Sequence, residues 1–306
     1  MYRYPVCNKE NSSLQCACGF DGSCDYRRYP TLVPLAKNTH FHASFCKPAI
    51  ALGESHIVGL RSDGKVVAAG RNDADQCKVI QWKDVVAISA SSLQTIALRK
   101  DGLVLYAGCA CPDAGRWQNM TAVAAGDNHV LGIRRDGTVL AEGDNDEGQC
   151  DVSHWRDMIT VACGDYHSVG LQKNGTVVAV GSDDDGQCMT EDWHNVIAIS
   201  ANYSSTSALR ENGTVLCTEH LLQKRVAGWR NITAIASMFY DLVGLKQDGT
   251  VVTTNSELSP VVAQWKNVIA IAAGFSNIAA LLQDGSVVIA GSNSHGQCNI
   301  SDWNLS

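Results

Sequence analysis

From residue 48 to residue 306, apolar and polar positions fall into blocks that repeat. Each block begins with an apolar run such as "VIAIAAG" at 268–274, followed by a polar bend of about three residues. A short apolar stretch such as "HSVGL" at 167–171 comes next, then a Lys-Asn-Gly type of turn and a β-branched stretch such as "TVVAVG" at 176–181. Short runs rich in Val and Ile and bounded by turn residues read as strands. Asp-Gly or Asn-Gly between two such runs is a strong hairpin signal, because glycine and asparagine tolerate the positive φ that a tight, right-twisted turn needs. Each block is expected to be a small antiparallel sheet of four strands. Helical repeats of similar length need stretches of about ten residues with a period of 3.6, and none occurs.

The turn signal appears at Asp63, Asp101, Asp136, Asn174, Asn212, Asp248 and Asp284, with a mean spacing of 36.8 residues. All seven tryptophans share one phase of this period: Trp82, Trp117, Trp155, Trp193, Trp229, Trp265 and Trp303. Six of them are followed by the apolar run that opens the next block, whereas Trp303 is followed only by Asn304, Leu305 and Ser306. The missing run stands at the front of the array as "KPAIALGESH", residues 47–56. A ring completes its last unit with its first and leaves no bare sheet edge, which a linear solenoid does not do. The expected fold is all-β, a seven-bladed β-propeller over 48–306 preceded by a Cys-rich segment over 1–47.

Gly126-Asp-Asn-His129 with "LGI", Asp136-Gly-Thr-Val, Gly143 and Gly148-Gln-Cys150 form one copy of a longer pattern. Gly164-Asp-Tyr-His167 through Gly186-Gln-Cys188 repeats it. On these residues the chain resembles the regulator of chromosome condensation (RCC1) repeat family over about 48–306. The resemblance implies a seven-bladed propeller. Cysteine stands after Gly-Gln where the eukaryotic pattern has Leu-Gly, a variation that looks like the bacterial branch.

Gly-Gln-Cys recurs at Cys150, Cys188 and Cys298, with a near copy at Cys77. In those four units the turn glycine precedes the tryptophan by 18 residues, and in the other three by 15 or 16, so the motif marks a longer loop. No histidine stands at a fixed distance to activate these thiols, and cysteine often serves as a small buried filler, so a packing role is expected. His56, His129 and His167 each follow a glycine by three residues. Leu93, Ser204, Tyr240 and Asn277 hold the matching places elsewhere, which predicts a hydrogen bond within the bend and no ring of imidazoles. One tryptophan per unit reads as packing between neighbouring blades.

The acidic loops, with Asp144, Asp146 and Glu147 in one unit and Asp183, Asp184 and Asp185 in the next, do not complete the Asp-x-Asp-x-Asp-Gly pattern of a calcium loop. They read as solvated turns and as candidate partner-binding residues. Asn174-Gly-Thr and Asn231-Ile-Thr match a glycosylation signal but fall at repeated turn positions of the chain.

Residues 1–47 carry a net charge of +3 and the repeats −10. Duplex nucleic acid is therefore not expected as a direct partner of the propeller, since that affinity rests on neutralising phosphates. Cys7, Cys16, Cys18 and Cys24 supply enough thiolates for one tetrahedral zinc ion. The spacing departs from that of small zinc ribbons: Tyr4 stands where a first ligand belongs, and Cys16-Ala-Cys18-Gly is one residue short. A structural zinc site and a ribbon-like tail without metal both remain open. With thirteen cysteines and no export signal, reduced thiols and a cytoplasmic location are expected. No apolar run of 18 residues suggests a membrane span.

No phosphate-binding loop, His-Glu-x-x-His, dinucleotide glycine fingerprint or serine elbow is present. The expectation is a monomeric, non-catalytic protein-interaction scaffold with no cofactor in the propeller. The alternative, implied by the resemblance, is guanine-nucleotide exchange on a small GTPase. That activity depends in the family on a protruding insertion, for which unit spacings of at most 38 leave no room.

Overall fold

The computed structural model describes residues 46–306. Seven antiparallel sheets follow one another along the chain, each with its strands in sequence order. The first is built from Ala49–Leu52, His56–Leu60 and Val66–Gly70, the second from Val85–Ser91, Gln94–Arg99 and Val104–Gly108. Met120–Ala125, His129–Arg134 and Val139–Gly143 form the third, and Met158–Cys163, His167–Gln172 and Val177–Gly181 the fourth. The fifth has Val196–Ala201, Thr206–Arg210 and Val215–Cys217, the sixth Ile232–Ser237, Leu242–Lys246 and Val251–Thr253. Val268–Ala273, Asn277–Leu282 and Val287–Gly291 complete the seventh. The first strands neighbour one another in a closed cycle, the last returning to the first, so they line the axis of a seven-bladed β-propeller. Among the described residues no helix is long and apolar enough to cross a membrane.

The sheets have three strands, not the expected four. The segment from each third strand to the tryptophan folds as successive turns, as in Lys78 N–H to Asp75 O and Trp82 N–H to Val79 O, and never pairs as a ladder. In the three shorter units the connection holds a 3-10 helix, Pro112–Arg116, or a short α-helix, α1 at His220–Val226 and α2 at Ser259–Val262. Helices of four to seven residues are too short to show periodicity in the sequence.

The hairpin turns also differ in detail from the expected two-residue form. Gly64 donates to Arg61 O, Arg61 donates to Lys65 O, and of the Asp-Gly pair only the glycine takes a positive φ, +78°. This is a type I turn followed by a left-handed glycine. The Asp or Asn side chain stabilises the turn by accepting the N–H two residues on, as Asn174 does from Thr176 at 3.0 Å.

Burial is concentrated between sheets. Seven clusters of buried apolar side chains occur, one at each junction. The middle strands are sandwiched on both faces, which explains why "HIVGL" and "HVLGI" are buried at every position and, after the histidine, apolar without alternation. A tryptophan fills each junction. Fifteen residues after Trp82, Trp117, Trp155, Trp193, Trp229 and Trp265 stand Ala97, Gly132, Gly170, Ala208, Gly244 and Ala280, each in the centre of the next middle strand. A Cβ at Gly170 would lie 2.8 Å from the Trp155 ring, and one at Gly132 would lie 2.7 Å from Trp117. Two residues past each of these six tryptophans an Asp or Asn adopts φ of 57–59°, and its carbonyl accepts an N–H from the hairpin of the next sheet.

The seventh junction closes the ring with residues from opposite ends of the array. Trp303 lies against Gly59, where a Cβ would come within 2.9 Å of it. Leu305 donates to Gly285 O at 2.9 Å and accepts from Ser62 N–H at 2.8 Å, stitching the seventh sheet to the first. Leu305 is fully buried in a cluster with Ile50, Leu52 and Ile57. Trp303→Ala is expected to destabilise the protein by about 2–4 kcal/mol, read from the urea midpoint. Gly170→Leu, which thrusts a branched side chain into Trp155, should cost about 1–3 kcal/mol and Gly170→Ala less, since three sheets already carry alanine there.

Candidate functional site

Where the first strand of each sheet hands over to the second, the bend faces the mouth of the axial channel. One repeat position in each bend lines a cavity of about 520 Å³. In ring order these residues are Glu54, Ser92, Asp127, Asp165, Tyr203, Phe239 and Phe275. Carboxylates and a serine form one arc and aromatic rings the other. Among the described residues, no lysine or arginine lines the cavity.

The acidic arc is braced by serines. Asp127 Oδ1 accepts the Ser91 hydroxyl at 2.5 Å and the Ser92 N–H at 3.3 Å, and Glu54 Oε2 accepts the Ser92 hydroxyl at 2.8 Å. Burial, together with the charges of Asp127 and Glu54, pushes Asp165 up to about 7. The aromatic arc is contiguous: Tyr203 and Phe239 centroids are 4.9 Å apart, Phe239 and Phe275 4.2 Å, and Tyr166 and Tyr240 extend it at 6.1 and 4.3 Å. Tyr240 is 63% exposed and Phe275 48%.

The acidic loops named from the sequence sit on the same face, further from the axis. Asp144 N–H donates to Asn128 O and Ser182 N–H to Tyr166 O, tying each loop to a mouth bend. Asp144 and Asp183 serve their own loops: Asp144 accepts from Gln149 Nε2 and Asp146 N–H, and Asp183 accepts from Cys188 N–H. Asp146, Glu147, Asp184 and Asp185 are exposed on adjacent sheets. Among the described residues no group of three or more His, Cys, Asp or Glu is arranged to hold a metal ion. Cys7, Cys16, Cys18 and Cys24 lie outside the described residues.

The Gly-Gln-Cys motif builds these loops. In all four copies the buried glutamine side chain accepts an N–H two residues back, as Gln187 does from Asp185 at 2.9 Å. The cysteine thiol donates to the carbonyl six residues back, at 3.2–3.4 Å. Burial raises the thiols, Cys77 and Cys150 to about 11 and Cys188 to about 12, so the thiolate needed for nucleophilic chemistry is suppressed.

The histidines bond between sheets, not within their own bend as expected. His56 Nε2 lies 2.9 Å from Thr95 Oγ1, His129 from Ser168 Oγ at 2.9 Å, and His167 from Thr206 Oγ1 at 3.0 Å. Each hydroxyl in turn donates to the carbonyl of the glutamine in the Gln-Cys loop, so each Nε2 carries the proton. Strand pairing also corrects the matching positions: Gln94, Ser205 and Asp241 take the histidine's place, not Leu93, Ser204 and Tyr240, while Asn277 stands as expected. The bends carry no glycine in those sheets, and without that landmark the count slips by one.

The sequence pattern does not single out the mouth residues, which belong to no motif. Their signal is a phase: each follows the residue that ends the first apolar run, a position that holds acids, a serine and aromatic residues in different blades.

Two pH effects of opposite sign follow. Burial lowers the three histidines to about 4, so the unfolded chain takes up more protons below 6.5, and stability is lost as pH falls from 6.5 through 4. His167→Asn, which installs the side chain that Asn277 supplies in the seventh sheet, is expected to show a smaller fall in Tm between pH 7 and pH 5 than wild type. Asp165 acts in reverse: its contribution is full below 3.8 and is lost as pH rises through about 7. Asp165→Asn should be more stable than wild type at pH 8, by on the order of 1 kcal/mol, and no more stable at pH 4 in thermal melts.

Comparison with known proteins places this geometry. The family model of the regulator of chromosome condensation (RCC1) repeat matches residues 49–76, 120–149, 158–187 and 268–297. Those are the first, third, fourth and seventh sheets, each match ending on the glutamine just before Cys77, Cys150, Cys188 or Cys298; the three sheets with helical connections are unmatched. No curated protein matches the chain in sequence. Similar structures include Prp20p from Saccharomyces cerevisiae, at 16% identity, a TM-score of 0.60 and coverage of 74% of this chain and 80% of that one. The CRINKLY WD40 ectodomain of the Arabidopsis thaliana receptor kinase ACR4 matches at 19% identity and 0.65, covering 86% and 99%. The ectodomain of the Physcomitrella patens receptor kinase CR4 matches at 19% and 0.65, covering 79% and 73%. At these identities the likeness establishes the fold.

Proposed function

We propose that the chain is a non-catalytic protein-interaction module whose contact surface is the channel-mouth face. The observation that carries this reading is the aromatic cluster of exposed Tyr166, Tyr203, Tyr240 and Phe275 around the half-buried Phe239, set on bends beside acidic groups. Contiguous exposed aromatic surface marks an interaction site, because leaving it in water is unfavourable and rings supply large contact area at low entropic cost. The exposed acids of the outer loops, Asp146, Glu147, Asp184 and Asp185, extend the same face and supply its polar rim. A yeast protein of similar fold, Prp20, has protein partners: it binds Gsp1p and histones and has been solved bound to Kap60. The alternative, nucleotide exchange on a small GTPase, has no structural observation of its own in its favour.

The test is capture from a native lysate with immobilised wild type and with a Tyr240→Ser, Phe275→Ser double variant. Both side chains are exposed, so the variant should match the wild type in thermal stability while losing the proteins the wild type retains. Equal recovery by a folded double variant would remove the mouth face from consideration.

A further inference from the structure

The seven mouth positions hold the same place in seven similar bends, yet their chemistry is sorted by sector. Because the ring closes, Phe275 of the seventh sheet is next to Glu54 of the first, and Tyr203 of the fifth is next to Asp165 of the fourth. The cavity therefore has a carboxylate wall of Glu54, Asp127 and Asp165 and an aromatic wall of Tyr203, Phe239 and Phe275. Serine groups brace Glu54 and Asp127, and serine neutralises neither charge.

Each wall narrows the choice of occupant. An anion or a phosphate backbone meets the charges of Glu54 and Asp127, with the Asp165 carboxyl beside them, and no cationic side chain among the described residues. A wholly apolar side chain would bury carboxylates without partners, which is costly. A bare hard cation wants oxygens on every side, and the aromatic wall supplies none but the Tyr203 hydroxyl. A guanidinium or ammonium on an aliphatic stem satisfies both walls: its charge pairs with carboxylates and rests on ring faces, while its methylenes cover apolar surface. The raised pKa of Asp165 reports the same imbalance, negative charge crowded in a partly buried place.

We propose that the channel mouth is a receptor for a basic side chain, an arginine or lysine presented by a protein partner, held between the Glu54–Asp127–Asp165 wall and the Tyr203–Phe239–Phe275 wall. This rests on the reading of the mouth face as the contact surface and adds the chemistry of what enters it.

The experiment uses the full chain and a short glycine-flanked peptide carrying one arginine, its lysine counterpart, and a citrulline counterpart that keeps the shape and loses the charge. Calorimetry at low salt should show the arginine or the lysine peptide binding at least tenfold more tightly than the citrulline peptide, with the advantage shrinking as salt is added. Phe239→Ala and Asp127→Asn should each weaken the charged peptide by about tenfold; circular dichroism confirms that both variants are folded. Exposed Ser294→Ala, outside the cavity, should leave binding unchanged. Equal binding of charged and citrulline peptides, absence of binding by all three, or charged-peptide binding that survives both cavity variants would overturn the proposal. Those outcomes leave the broader reading standing if the Tyr240→Ser, Phe275→Ser variant still loses captured protein, so the two failures are distinguishable.

Discussion

A tryptophan ring laid on the next middle strand, at a position that carries only glycine or alanine, is the contact on which the molecule depends. Each sheet is only three strands wide, too small to bury an apolar face alone. The ring leaving one sheet covers the centre of the next at a glycine or alanine, and the apolar clusters gather around that contact. Size complementarity sets the separation of the sheets, and repetition at seven junctions brings the array back on itself. The last contact, Trp303 on Gly59, joins the seventh sheet to the first, from opposite ends of the array. Leu305 supplies there both the accepting carbonyl that a left-handed Asp or Asn supplies elsewhere and the N–H to the turn glycine that elsewhere comes from the residue after it.

A polar lattice reinforces the apolar one where water would otherwise enter. Buried histidine, hydroxyl and glutamine groups run from one sheet through the next and back to the loop of the first. Each buried polar atom in that chain has its partner except the unprotonated Nδ1 of the three histidines and the Gln76 amide nitrogen. Strands and turns recur in every sheet and the lattice joins them at the three histidine junctions, so the residue at each bend tip is fixed neither by the turn motif nor by the tryptophan contact. Seven such positions meet at one opening, where acids collect on one side and rings on the other. Rigidity made by the repeat thus positions groups that the repeat does not need, the usual relation between a scaffold and the loops it carries.

Much of the fold was legible because the repeat imposes local rules that each act within a few residues. Asp-Gly and Asn-Gly mark hairpins through one left-handed glycine, the tryptophans keep one phase, and the run at 47–56 supplies the first strand of the ring. Strand number, the helices near residues 112, 220 and 259, and the counterparts of His56 in the other sheets were less legible, since they depend on pairing partners and on elements too short to leave a period. The acidic loops were visible as composition, but their composition alone did not reveal that Asp144 and Asp183 bond inward.

By itself, the sequence determined seven units, their order, and the need to close, because spacing, turn chemistry and the apolar content of the middle strands are local properties repeated along the chain. Only the tertiary structure decided which residues share a surface. Glu54 and Phe275 are separated by most of the propeller in sequence, and closure alone makes them neighbours; the division of the mouth into a charged and an aromatic side exists nowhere along the chain until the ring is formed.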